Sequence, residues 1–144
     1  MKLFQIEEPD GAPADPSAPG AAIGIDAGGA EVEVAFSVGG NAIILADREG
    51  FELALPVPDA TAAEGQWQEL FEAARIRAER VLARPVSHAV IVLADADVPT
   101  KLRKAAEAAG LRVLRFSRKP EVPAGASAVL TAAILAEDLA PRPD

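Results

Sequence analysis

The chain has 144 residues, half of them hydrophobic but only 4% aromatic, and a formal net charge of −8. That length suits one domain with a core of Ala, Val, Leu and Ile, and the acidic balance argues against a generic binder of nucleic acid or anionic membrane. The absence of cysteine excludes disulfides, thiolate nucleophiles and cysteine metal sites, and a single histidine excludes a histidine cluster.

No apolar run approaches the ~20 residues of a membrane span, and the N-terminus lacks the basic start and long apolar stretch of a signal peptide. The expected location is cytoplasmic. Residues 1–20 read as a flexible tail, with Leu3, Phe4 and Ile6 as apolar contacts of a short strand or clasp. Pro13, Pro16 and Pro19 then stand among Gly, Ala, Ser and Asp, a composition too poor in apolar surface to offset its ordering entropy. The single folded unit is expected over residues 21–140, with a C-terminal tail at 141–144.

The fold is expected to open with Ala22-Ile23-Gly24-Ile25-Asp26, a buried strand ending in aspartate. Gly28-Gly29 then offers a turn able to take positive φ. A second strand runs over 31–38, with Val32, Val34, Phe36 and Val38 on the buried face and Glu31, Glu33 and Ser37 on the other. A glycine hairpin with an aspartate at its mouth can bring N–H groups and a carboxylate to a phosphate and its metal. Equally, any tight hairpin needs glycines and many strands end in Asp, so the motif alone decides nothing.

Gly39-Gly40 marks the next turn, and residues 42–46 a short third strand. Residues 51–57 read as a further extended piece, kept at an edge or made irregular by Pro56 and Pro58. Thr61 and Glu64 have capping-box spacing. Beyond them Trp67, Leu70, Phe71, Ala74, Ala78, Val81 and Leu82 form the stripe of an amphipathic helix that stops before Pro85. Its other face, with Arg75, Arg77, Glu79 and Arg80, reads as solvated, and Trp67 as a core anchor.

Residues 88–93 are the apolar run of a strand covered on both faces. Asp95 and Asp97 suggest helix capping before acid–base or metal chemistry, with Asp97 the N-cap and Pro99 in the first turn. The helix runs to about Ala109, closed by Gly110, and residues 111–116 form the next strand, a β-α-β unit with a parallel crossover. A very apolar helix over 126–139 ends the domain. His88 has no matching ligand in sequence, so no metal role is assigned to it.

Three antiparallel strands followed by parallel units, with Gly24-Ile25-Asp26-Ala27-Gly28 in the first hairpin, resemble the ribonuclease-H-like half-domain of actin, sugar kinases and DnaK-type chaperones. Longer stretches resemble the HscA branch of the DnaK family, dedicated to iron–sulfur cluster assembly. They are Leu3-Phe4-Gln5-Ile6-Glu7-Glu8-Pro9, Ala22-Ile23-Gly24-Ile25-Asp26, Leu45-Ala46-Asp47-Arg48-Glu49-Gly50, and the passage from Lys104 to Arg115. The resemblance implies an α/β mixed sheet of three antiparallel and two parallel strands, with about three helices packed on it.

The departures from the family pattern point away from its activity. The family follows the hairpin aspartate with Gly-Thr-Thr-Asn, whose hydroxyls reach phosphates and metal-bound waters. Here those positions are Gly28, Gly29, Ala30 and Glu31, so the hydroxyls are replaced and a carboxylate is added that would oppose nucleotide binding. The glutamate of the family's Asn-Glu-Pro is Lys119, the switching proline aligns with Leu93-Ala94, and the outer subdomain with its catalytic lysine is missing between Val57 and Thr61. The sequence stops where the family's first lobe stops.

Two expectations follow. The first is a non-catalytic, chaperone-derived interaction or regulatory module with a protein partner, a chaperone or an iron–sulfur assembly protein, and with a homodimer through the last helix as one form. It has no cofactor, no catalytic residue, and no nucleic-acid or membrane contact. The alternative is an ATP/Mg-binding fragment or weak ATPase completed by self-association or a partner chain, with Asp26, Gly28 and Gly29 toward the phosphates and Lys119 or Arg118 supplying positive charge.

Overall fold

The computed structural model describes residues 20–29, 31–45, 56–58, 62–93, 99–118 and 127–140. Asp95, Asp97 and Lys119, the proposed N-terminal and C-terminal tails apart from Gly20, and most of the proposed 51–57 piece lie outside those residues. Eight elements follow one another: β1 (Ala21–Asp26), β2 (Glu33–Val38), β3 (Asn41–Ile44), α1 (Glu64–Leu82), β4 (Val86–Leu93), α2 (Pro99–Ala108), β5 (Arg112–Arg118) and α3 (Ala128–Leu139). The strands form one sheet in the order β3-β2-β1-β4-β5. β1 pairs antiparallel with β2 and parallel with β4, β2 antiparallel with β3, and β4 parallel with β5. This is the α/β mixed sheet of three antiparallel and two parallel strands expected from the sequence.

Alternation along β1 divides the molecule into two layers. Ala21, Ile23 and Ile25 face α1 and α2 and join Val34, Trp67, Phe71, Ile91 and Leu102 in the main core. Ala22 faces α3 with Val90, Val92, Ala132 and Ala136, and Ala35 packs with Val129 and Ala133. The α3 side of the sheet is therefore lined by small residues and the other side by large ones. A long apolar helix can press close on the first, and the second needs two helices to fill it.

The closest approach is at Gly24. A Cβ there would lie 2.4 Å from the Ala133 nitrogen and 2.9 Å from its Cα. Such contacts are far inside van der Waals range, so the glycine is required by the backbone of α3 resting on β1.

Several local readings change. Ser37 is buried, not solvent-facing, because α3 covers that side of β2, and Val38 at the strand end is 63% exposed. β2 begins at Glu33, and Glu31 instead makes an isolated antiparallel bridge with Pro56. The α1 N-cap is Ala63 with no side-chain cap bond and Glu64 is the first residue of the helix, while Thr61, the other half of the expected capping box, lies outside the described residues. Arg75 is not merely solvated: its guanidinium bonds the Ala109 carbonyl at 2.7 Å and Glu79 at 3.2 Å, while Glu79 accepts from the Val86 N–H at 2.9 Å. That chain of bonds ties α1 to the end of α2 and the start of β4.

The end of α2 follows from its glycine. Gly110 has φ of 92°, the Leu111 N–H reaches the Ala106 carbonyl, and the Gly110 N–H reaches Glu107. These are the paired bonds of a Schellman cap. Trp67 is fully buried against Phe71 at 6.0 Å between ring centroids, as its place on the apolar stripe predicts. Among the described residues its Nε1–H has no hydrogen-bond partner, and a buried donor left unpaired costs about 1–3 kcal/mol.

Candidate functional site

The carboxyl ends of the parallel strands are where ligands bind in open α/β sheets, and the conspicuous residues of the sequence converge there. Asp26 pairs across the sheet with Val92, and Val92 with Ser117. Two strand spacings thus separate the Asp26 and Ser117 backbones, roughly 10 Å. Arg118 is the last residue of β5, one step beyond. The connection after β1 occupies 27–32, because Asp26 pairs with Glu33. It is a longer loop than the tight hairpin read from the sequence.

Gly29 does not take positive φ, and a Cβ on it would meet only the Glu31 carbonyl, at 3.9 Å. Among the described residues the positive-φ glycines are Gly39 at 61°, Gly40 at 83° and Gly110 at 92°. Gly39-Gly40 therefore forms the tight two-residue turn, between Val38 and its partner Asn41.

Asp26 is 4% exposed. Its Oδ1 accepts the Gly28 N–H at 2.9 Å, an Asx-type turn in which the carboxylate orders its own loop. The Ala27 N–H continues the parallel ladder to the Val92 carbonyl at 2.9 Å. Asp26 belongs to the same alternating set as Ala22 and Gly24, on the α3 side. α3 runs antiparallel to β1, since Ala132 and Ala133 lie over Gly24 while Glu137 bonds Ser37 near the far end. Asp26 is thereby placed toward the N-terminal half of α3, whose dipole favours a carboxylate.

Glu33 is a neighbouring acid. Glu33 stands directly across from Asp26 in the ladder, on the same face, and it is exposed. Like charges in that position disfavour one another and any further anion. Among the described residues there is no group of three or more His, Cys, Asp and Glu able to hold a metal ion. The structure thus brings Asp26, Gly28 and Gly29 together and places Arg118 at the same end of the sheet.

His88 sits at the opposite end of β4, 8% exposed, with Nδ1 2.7 Å from Ser87 Oγ. The same hydroxyl accepts the Gly20 N–H at 2.8 Å. Burial, and then the Arg112 guanidinium, hold the imidazole below its ordinary value of 6.5. The folded state therefore disfavours the imidazolium, and the unfolded chain binds the proton more readily. The stability due to neutral His88 is full above pH 6.5 and lost as pH falls through the lowered folded value. Urea midpoints are expected to drop from pH 7.5 toward pH 5.5, and His88→Gln is expected to flatten that slope. An unchanged slope in the variant overturns the assignment.

A second polar cluster was not legible in the sequence. The Glu137 carboxylate of α3 accepts from Ser37 Oγ at 2.8 Å, the Gly39 N–H at 2.6 Å and the Gly40 N–H at 3.0 Å. Successive N–H groups in a glycine turn make an anion-binding concavity, and here the chain fills it with its own carboxylate. The only sequence signal was the turn, since the acid lies about 100 residues away along the chain.

Neither a scan of protein-family models nor a search of curated proteins returns a match for the chain. Among the described residues no helix is long and apolar enough to cross a membrane.

Proposed function

We propose that the chain is a non-catalytic protein-interaction domain built on a ribonuclease-H-like scaffold similar to the first lobe of the HscA/DnaK-type ATPase domain. Chaperone or iron–sulfur assembly proteins are its partner class. The mixed sheet, with two parallel strands added beside β1, supports the scaffold part of this reading.

The observation that carries the non-catalytic part is the loop after β1. Its aspartate is buried and takes the Gly28 N–H for itself, the donor a phosphate would need. Glu33 adds a second carboxylate across the ladder. An anion entering there loses a hydrogen bond and meets unfavourable charge.

The second reading, an ATP-binding fragment or weak ATPase completed by another chain, draws on one observation. Asp26 lies at the carboxyl ends of β1 and β4, where nucleotides bind in related topologies. Lys119 would then join Asp26, Gly28 and Gly29.

Calorimetric titration with Mg-ATP and Mg-ADP separates the two. The expected result is no saturable heat at millimolar nucleotide, for the native chain and for Asp26→Ala alike. Saturable binding that Asp26→Ala abolishes would overturn the first reading in favour of the second.

A further inference from the structure

The charge of the molecule is unevenly placed. Six of the 14 lysines and arginines lie between Lys101 and Arg118, with Glu107 the one acidic residue in that span, in a chain whose net charge is −8. α2 and β5 gather these cations at one margin of the sheet, because β5 is a terminal strand. Arg103, Lys104, Arg112 and Arg115 are all exposed. Among the described residues the Arg75–Glu79 bridge on α1 involves none of them.

The cations straddle the edge strand. Arg112 pairs with His88 and Arg115 with Val90, which places both on the α3 side of the sheet. Phe116 pairs with Ile91 on the other side and packs against the main core. From that side Arg103 reaches over, with Nη1 3.4 Å from the Val113 carbonyl and its guanidinium 5.2 Å from the Phe116 ring centroid. Leu114 and Phe116 are half-buried between the arginines. β5 spans seven residues, and the other terminal strand, β3, spans four.

We infer that the β5 edge is a docking surface for an acidic, extended segment of a partner protein, which adds to the sheet as a further strand. Among the described residues β5 is a terminal strand; such a strand presents N–H and C=O groups without a ladder partner, and an added strand supplies one. Its side chains alternate between the two faces, so acidic residues on one face meet Arg112 and Arg115, while apolar residues on the other lie on the side of Phe116 and of the Arg103 guanidinium over its ring. A nucleic acid fits less well: it cannot pair with a backbone ladder, and the strongly acidic remainder of the chain repels its phosphates at long range. The inference rests on reading the chain as a protein-binding module. Nucleotide binding at Asp26 would overturn that reading and leave the β5 measurement standing.

The test uses the whole chain and a fluorescent peptide of alternating glutamate and valine. Two comparison probes are the same peptide with alternate backbone amides N-methylated, and single-stranded oligothymidylate. Saturable, salt-sensitive binding of the first peptide is expected, weakened about tenfold or more by the double substitution Arg112→Glu and Arg115→Glu and by N-methylation. Amide exchange on the native chain gives a readout that needs no variant to fold. Bound peptide is expected to slow exchange in β5 and leave β3 unchanged. No binding, protection at β3 instead, or equal binding of the N-methylated peptide or the oligonucleotide overturns the proposal. In that event the arginines serve only to guard an edge against pairing.

Discussion

Gly24→Ala is expected to be strongly destabilising. The new Cβ would stand 2.4 Å from the Ala133 nitrogen, 2.8 Å from the Ala132 carbonyl carbon and 2.9 Å from the Ala133 Cα. All three are backbone atoms, so no rotamer change relieves the contact. Either β1 bends away or α3 lifts from the sheet, and lifting α3 uncovers Ala22, Ala35, Val90 and Val92 together. Overpacking of this kind costs about 3 kcal/mol, which for a domain of this size lowers the Tm by about 10 °C.

Gly29→Ala is the matched control. Its Cβ would meet nothing closer than 3.9 Å and its φ is not positive, so the change is expected within about 0.5 kcal/mol of neutral. Thermal unfolding of the two variants side by side checks both. Equal stability would mean that α3 does not rest on Gly24.

That contrast bears on how a glycine motif is read. Gly24 and Gly29 belong to one short run that, as sequence, fits a phosphate loop and a plain hairpin alike. In the structure Gly24 is accounted for by helix packing, and Gly29 is under no steric demand. The periodic parts of the chain were legible, because apolar spacing reports burial directly. The stripe from Trp67 to Ala78 is buried as written, and the apolar run of β4 is covered on both faces. Gly110 closes its helix for the reason that makes glycine favourable there, a positive φ.

What was not legible depended on partners distant along the chain. Ser37 alternates with apolar residues and so reads as solvent-facing, yet α3 lies over it. Nothing near Ser37 in sequence announces that helix. The sequence points to Glu31 as the charge near Asp26, and the register Asp26–Glu33 brings in the next acidic residue of the strand. Loop length decides such a register, and composition does not fix loop length. The start of α1 also involves a partner distant along the chain. Helix α1 starts one residue after Ala63, while Lys101 of α2 donates to the Ala62 carbonyl at 2.8 Å. A tertiary contact thus accompanies an N-terminus that lacks a side-chain cap.

Glu137→Ala is expected to loosen the β2–β3 hairpin from α3. The carboxylate is the acceptor for a buried hydroxyl, Ser37 Oγ at 2.8 Å, and for two turn amides, Gly39 at 2.6 Å and Gly40 at 3.0 Å. Water replaces the acceptor at the exposed amides, so their loss costs less than buried bonds would. Ser37 is 3% exposed and loses its partner outright. Bonds to a charged group contribute about 1.5–3 kcal/mol, and the expected net loss is about 2–3 kcal/mol.

Glu137→Gln separates charge from shape. A single amide oxygen can retain Ser37 and Gly40, but its NH2 group then faces the Gly39 N–H, donor against donor. The glutamine variant should therefore recover part of the stability and leave Gly39 unprotected. Amide exchange at Gly39 and Gly40 is expected to quicken in the alanine variant, and at Gly39 selectively in the glutamine variant. The Ser37→Ala and Glu137→Ala changes share one interaction, so their effects should combine to less than their sum. Full additivity, or unchanged exchange at both glycines, would place the anchoring of the hairpin in its packing against Val129 and Ala133 and remove this carboxylate from the account.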